Sequence, residues 1–207
     1  MIHYNLQEFI ARANHPNAEY PLRFQEIVSG QGLGIVFSIE KGPWLAGGAV
    51  RRLFDGSNKE SDFDIFFKSE QQLNDFKAQL LTLGDKVLYE NDLNVTMLSN
   101  RAGMKPFKVQ LIKFYFENPE DVLNWFDYTI CQFLTDGFTL MVGNYTLYDV
   151  GSKRLALNTV HHGLSTVRRM LKYANQGYSV CDGTIVNILN RIISNPEIIN
   201  SGIISID

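Results

Sequence analysis

The sequence predicts an α+β domain: a small mixed β-sheet flanked by helices, followed by a short helical C-terminal extension. Three observations predict it. Strand-like and helix-like windows are interleaved without settling into strict strand–helix repeats. From about residue 152 onward the windows are helical. Hydrophobic residues make up 45% of the chain and charged residues 20%, enough to bury a core and too little charge for a disordered chain. A length of 207 residues suits one domain with an appendage, divided here into residues 1–150 and 151–207.

The elements follow in order. Residues 3–12 and 20–31 carry apolar faces at helical spacing, Leu6, Phe9 and Ile10 in the first and Phe24, Ile27 and Val28 in the second. Gly30, Gly32 and Gly34 then break the second helix; with no strand before them and no helix after, they are a loop and not a dinucleotide fingerprint. Trp44, Leu45 and Ala46 read as a buried strand ending at Gly47 and Gly48, and a helix runs on through Val50, Leu53 and Phe54 to Asp55 and Gly56. Residues 63–67, FDIFF, are strongly β-prone. Residues 69–83 form an amphipathic helix with Leu73, Phe76, Leu80 and Leu81 inward. Residues 86–89 and 95–98 pair as strands around Asn91 and Asp92, and 107–114 alternate as a strand. Residues 119–125 are a short helix; 128–134, 138–142 and 145–148 read as strands, with Gly137, Gly143 and Asn144 at the turns. Helices over 164–176, stopping at Gly177, and over 183–193 complete the chain.

Bulk properties exclude several classes. A formal charge of −3 argues against a broad basic surface for nucleic acid, while leaving room for a local basic cleft. The two cysteines, Cys131 and Cys181, have no metal-like spacing and do not make a disulfide framework. No stretch approaches the ~20 apolar residues that a membrane helix needs. No cationic segment leads into an apolar run at residues 1–7. The expectation is a soluble cytoplasmic protein with no membrane partner.

The window that carries chemistry is residues 44–66. A strand feeds two glycines and a helix begins at once. Glycine lets backbone N–H groups approach a phosphate, and the helix N-terminus adds a positive dipole end. About fourteen residues after Gly48 come Asp62 and Asp64, on a strand and two residues apart, hence on one face. Two carboxylates so placed form a hard oxygen site suited to Mg²⁺. A phosphate cradle beside paired carboxylates is what metal-assisted nucleotidyl transfer requires. Either half alone is more often a tight turn or a solvated strand edge; their order and spacing give the combination its weight.

This window resembles the signature of the DNA polymerase β-type nucleotidyltransferase superfamily, and more closely the head and neck of the class II CCA-adding enzymes and bacterial poly(A) polymerases. Their Gly-Gly-x-Val-Arg-Asp and Asp-x-Asp patterns are similar to Gly47-Gly48-Ala49-Val50-Arg51-Arg52 and Asp62-Phe63-Asp64. Asp127-Tyr128-Thr129-Ile130-Cys131 resembles a second motif, Arg-Arg-Asp-Phe-Thr-Ile-Asn. Residues 165–174, with Gly177 and Tyr178, resemble the neck helix. The matches keep their order over about residues 44–178.

The resemblance implies a nucleotidyltransferase fold and a set of roles. Gly47, Gly48 and Arg51 would bind the incoming nucleoside triphosphate, Asp62 and Asp64 would bind Mg²⁺ or Mn²⁺ and act catalytically, and Arg169 and Lys172 would meet the phosphates. Asp127 would orient the nucleotide or support the arginine beside it. The reaction implied is transfer of a nucleoside monophosphate to a hydroxyl on an RNA or tRNA 3′ end, a protein partner or a small molecule, with pyrophosphate released. Small stand-alone members of this kind occur in phage genomes and in toxin-like systems.

The chain departs from the pattern at informative places. Arg52 replaces the family's Asp, Trp125 and Phe126 replace the double arginine, and Cys131 replaces the Asn. No Glu-Asp-x-x-Arg nucleotide-reading motif follows. On strand 107–114, where the superfamily supplies a third carboxylate, the central residue is Gln110, which cannot take a proton. These departures support an alternative, a catalytically impaired nucleotide sensor or protein-interaction module. His161 and His162 read as a helix-start pair without metal partners, His3 and His15 as isolated and exposed, Phe63, Phe66, Phe67, Tyr173 and Tyr178 as core, and Cys131 as a small buried hydrophobe.

Overall fold

The structure is a computed structural model that describes residues 1–12, 15, 19–28, 33, 37–55 and 61–199. The chain opens with strand β1 (Ile2–Asn5) and helices α1 (Leu6–Arg12) and α2 (Glu19–Val28). Strand β2 (Trp44–Ala46), helix α3 (Gly48–Asp55), strand β3 (Phe63–Phe67) and helix α4 (Glu70–Thr82) follow. Next come β4 (Lys86–Glu90), β5 (Asn94–Ser99), β6 (Phe107–Tyr115) and α5 (Pro119–Trp125). A 3₁₀ turn (Thr129–Cys131) leads to β7 (Phe133–Thr135), β8 (Thr139–Val142) and α6 (Thr146–Gly151). The remainder comprises β9 (Arg154–Leu155), α7 (Gly163–Ala174), β10 (Ser179–Val180), α8 (Asp182–Ser194) and a 3₁₀ turn (Pro196–Ile199).

The α+β fold class is as the sequence predicts, but the sheet is not small. It has eight strands in the order β1-β8-β7-β2-β3-β6-β5-β4. It is mixed because β3 and β6 run parallel while the other pairs are antiparallel. Strand alternation gives β3 two different faces. Phe63, Ile65 and Phe67 enter the main core with Phe24 and Ile27 of α2, Leu53 of α3 and Phe76 and Leu80 of α4. Each such side chain contributes on the order of 2 kcal/mol by leaving water. Phe66 points the other way, into a second cluster with Trp44, Ala46, Val122, Leu123 and Leu134 under α5. Asp64 shares that second face.

Several expectations need correction. Residues 2–5 are a strand, because pairing of β1 with β8 overrides their helical pattern, and the Asn5 side chain then accepts the Glu8 N–H at 3.0 Å as α1 begins. Residues 129–131 are a 3₁₀ turn, so the strand expected over 128–134 is reduced to β7. The strand expected over 145–148 is helix α6, anchored by Thr146, whose hydroxyl donates to the Thr129 carbonyl at 2.9 Å. Leu81 is 46% exposed, on the outer side of α4. The His15 imidazole is not isolated: its Nε2 lies 2.8 Å from the Arg52 carbonyl and the ring stacks on Tyr20. The short parallel pair β9–β10 was not expected. The triple-glycine loop and the helix end at residues 29–31 lie outside the described residues.

The C-terminal helices are docked on the sheet domain. Tyr128 donates its hydroxyl to the Thr166 carbonyl at 2.9 Å. Tyr173 of α7 is buried edge-on between Tyr128 and Tyr178. Among the described residues no helix is long and apolar enough to cross a membrane.

Candidate active site

The site begins where β2 ends. Gly47 takes a φ of +79°, a conformation costly for any residue with a Cβ. Its N–H donates to the Phe133 carbonyl at 2.8 Å, and its carbonyl accepts the Arg51 N–H at 3.0 Å as the first turn of α3 closes. A Cβ on Gly47 would stand 3.2 Å from the Phe126 ring and 3.5 Å from Asp64 Oδ2. A Cβ on Gly48 would stand 2.8 Å from Ser61 Oγ. The glycine turn therefore abuts the strand that carries the carboxylates, with the start of α3 beside it.

Asp64 lies across from Ala46 on one side and from Gln110 on the other. No hydrogen-bond donor among the described residues reaches its carboxylate. Its pKa is pushed up to about 7, by burial first and by the neighbouring Asp62 next, against the opposing pull of Arg169 and Lys172. Asp62 is half-buried, and its Oδ2 accepts a hydrogen bond from Gln110 Nε2 at 2.8 Å. An acidic pair in which one partner has no donor fits a hard divalent cation, and Asp62 and Asp64 are the residues that would hold it. Among the described residues no cluster of three or more histidine, cysteine or acidic side chains has metal-binding geometry, so the candidate rests on this pair.

Two basic residues of α7 act on the same carboxylate. Arg169 is ion-paired with the buried Asp127. The Asp127 carbonyl accepts the N–H groups of Asn158 and Thr159 at 2.7 and 3.2 Å, so residues 158–159 are held to the same segment. Lys172 is exposed, and its charge is felt at Asp64.

Arg51 is placed differently from the other candidates. It is 2% exposed and turned into the junction with the extension. Its Nε lies 3.1 Å from Asp55 Oδ2 and its Nη2 donates to Gln176 Oε1 at 3.2 Å. Its guanidinium carbon sits 4.8 Å from the Tyr173 ring centre and 5.8 Å from that of Tyr178. The side chain ties the helix that starts at the glycine turn to the end of the neck helix. The buried Arg52 beside it has Nε and Nη1 without hydrogen-bond partners among the described residues, and burial lowers its pKa.

Sequence reasoning missed two parts of this site. One is Phe126, whose ring forms a wall at Gly47 and packs edge-on to Phe66. The other is the stack of Trp125 on His161, with ring centres 3.7 Å apart. Where the resembled motif has two arginines, the wall is aromatic. The replacement was visible in the sequence; the contacts depend on how residues 125–127 cross the sheet.

Comparison with known proteins agrees with this architecture. A family model described as "Gabija anti-defense 2 family protein" matches residues 21–153. A curated protein of Bacillus phage SPbetaL7, named Gabija anti-defense 2, is 33% identical over 105 residues, which are 46% of this chain and 24% of that protein. This chain thus spans about a quarter of the length of that relative. Among solved structures, the Thermotoga maritima CCA-adding enzyme complexed with tRNA matches with a TM-score of 0.57 at 16% identity, covering 94% of this chain and 46% of that one. A CCA-adding enzyme in complex with ATP matches at 0.59 and 15% identity, covering 94% and 47%. The Bacillus stearothermophilus CCA-adding enzyme in complex with CTP matches at 0.53 and 16%, covering 82% and 42%. At these identities the likeness is one of fold, and it spans less than half of each of those enzymes.

Proposed function

The chain belongs to the Gabija anti-defense 2 family, and from that premise we propose that it is a Mg²⁺-dependent nucleotidyltransferase. It transfers a nucleoside monophosphate from a nucleoside triphosphate to a hydroxyl acceptor and releases pyrophosphate. The observation that carries this reading is the placement of Asp64 against the Gly47 turn, with Asp62 on the same strand. The CCA-adding fold supports it.

In this mechanism Gly48 presents its backbone N–H to the triphosphate at the start of α3, and Gly47, whose own N–H is taken by the Phe133 carbonyl, leaves room for the phosphates because it carries no side chain. Lys172 and the Arg169–Asp127 pair flank the same phosphates from the neck helix. Asp62 and Asp64 would hold the divalent cation, which when bound would supply charge neutralisation and Lewis acidity at the reacting phosphate. The acceptor oxygen bonds to the α-phosphorus, the bond from that phosphorus to the bridging oxygen breaks, pyrophosphate leaves, and the hydroxyl proton passes to solvent. Positioning and charge supply most of what such a displacement needs.

The acceptor we favour is a protein side chain of the defence that the family name says is countered, ahead of an RNA or tRNA 3′ end. We assign the transferase site to residues 1–150, completed by the extension over 151–207, working in the cytoplasm where nucleoside triphosphates are abundant. The amide of Gln110 beside Asp62 favours one second reading, a nucleotide-binding module that performs no transfer. Incubation with α-labelled triphosphates, Mg²⁺ and extract of a cell carrying the defence separates the two. Label on a macromolecule that vanishes in Asp62→Asn and Asp64→Asn supports transfer. Nucleotide binding with no label transferred supports the module.

A further inference from the structure

We infer that Gln110 sets the metal complement of the Asp62–Asp64 site, so that the protein by itself binds a single divalent cation. This inference rests on the transferase reading and concerns how the site is loaded.

The geometry is specific. β6 runs parallel to β3 and places Gln110 beside Asp64, with Thr96 of β5 beside Gln110 in turn. Position 110 is thus the place on the adjoining strand from which a side chain reaches the pair. It is filled by a neutral amide, and the amide is engaged: Nε2 donates to Asp62 Oδ2 at 2.8 Å. That contact occupies one Asp62 oxygen and turns the positive end of an N–H bond toward the pair. Rotated about its last bond, the amide could offer Oε1 to a cation, but as a ligand without charge.

The surrounding charge points the same way. Once a cation displaces the Asp64 proton, Asp62 and Asp64 together carry two negative charges, which one divalent cation neutralises. The other charges felt at Asp64 are those of Arg169 and Lys172, both positive. Asp127 is already engaged with Arg169. Among the described residues no third acidic or histidine side chain completes a cluster with the pair. A second divalent cation would enter a site already neutral, beside two cationic side chains. Divalent affinity follows the count of charged oxygen ligands, so Gln110 holds the count at two. It positions Asp62 and limits the charge at the site.

The test is Mn²⁺ uptake by the full chain without nucleotide, followed as loss of the free-ion electron paramagnetic resonance signal. Wild type, Gln110→Glu, Gln110→Asp and Gln110→Ala are compared, each first shown folded by circular dichroism. Wild type and Gln110→Ala are expected to saturate at one Mn²⁺ per chain. At least one acidic variant is expected to take up two, or to bind the first at least tenfold more tightly. Two Mn²⁺ on the wild type would overturn this inference and leave the transferase reading standing. The same holds if both folded acidic variants match wild type in stoichiometry and affinity. No uptake by wild type or by any variant would overturn both.

Discussion

Gly47 and Asp64 are packed so closely that a single methyl group on the glycine would sit 3.5 Å from the carboxylate Oδ2. The same methyl would press on the Phe126 ring at 3.2 Å, from a backbone with φ +79°. The glycine turn and the acidic pair are therefore one structural unit. Gly47→Ala should lose about 1–3 kcal/mol of stability through backbone strain and at least tenfold in triphosphate affinity. Urea denaturation and isothermal titration calorimetry measure the two effects. Nucleotide affinity equal to wild type would remove the turn from the binding site.

Asp64 makes metal-free stability depend on pH. Its folded pKa of about 7 lies above the ordinary 3.8. A carboxyl whose folded pKa is raised contributes stability that is fully present below the unfolded pKa and is lost as pH rises through the folded one. In EDTA the wild type should therefore weaken between pH 4 and pH 7 relative to Asp64→Asn. We expect a relative loss of about 2 kcal/mol, below the full linkage value because the carboxyl is partly solvated. Saturating Mg²⁺ should restore the wild type toward neutral pH. Parallel wild-type and Asp64→Asn profiles in EDTA would contradict this electrostatic account.

Arg51 should behave as a structural tie. Replacing it with Met leaves Asp55 buried without its guanidinium and removes the contacts to Gln176, Tyr173 and Tyr178. Breaking a buried pair from one side costs about 3–5 kcal/mol, so Arg51→Met should lower the melting temperature by roughly 10 °C or more. Arg51→Lys should recover only part of this, because an ammonium cannot reproduce the planar contacts. A melting temperature unchanged in Arg51→Met, with nucleotide affinity lost, would instead place Arg51 at the phosphates.

Lys172 separates binding from stability. It is exposed on α7, so Lys172→Ala should leave the melting temperature within about 2 °C of wild type. Triphosphate affinity should fall about tenfold at low salt and less at high salt, where exposed charges are screened. Affinity unchanged at low ionic strength would take Lys172 out of the phosphate contacts.

Much of the sheet was legible because side chains alternate between its two faces: Phe63, Ile65 and Phe67 enter one core while Asp64 and Phe66 face the other side, and buried Val109 and Leu111 alternate with Gln110. The juxtaposition of the glycines and the acidic pair was legible because strand, turn and helix follow one another locally. The first strand was not, since residues 2–5 are extended only through a partner at residues 139–142. The contacts of Arg51 were hidden for the same physical reason. Its guanidinium faces Gln176, 125 residues away, and nothing in the local motif reveals that contact. Gln110 was visible as an absent charge, while its hydrogen bond to Asp62 depends on the parallel pairing of β3 with β6.

The central claim is tested most directly by pyrophosphate release in the presence of Mg²⁺, a nucleoside triphosphate and extract of cells carrying the defence, compared between wild type and Asp64→Asn. The account predicts release by wild type, none with EDTA, and at least a hundredfold less from a folded Asp64→Asn protein that still binds nucleotide. Equal release from wild type and Asp64→Asn, or none from wild type with every triphosphate, would contradict it.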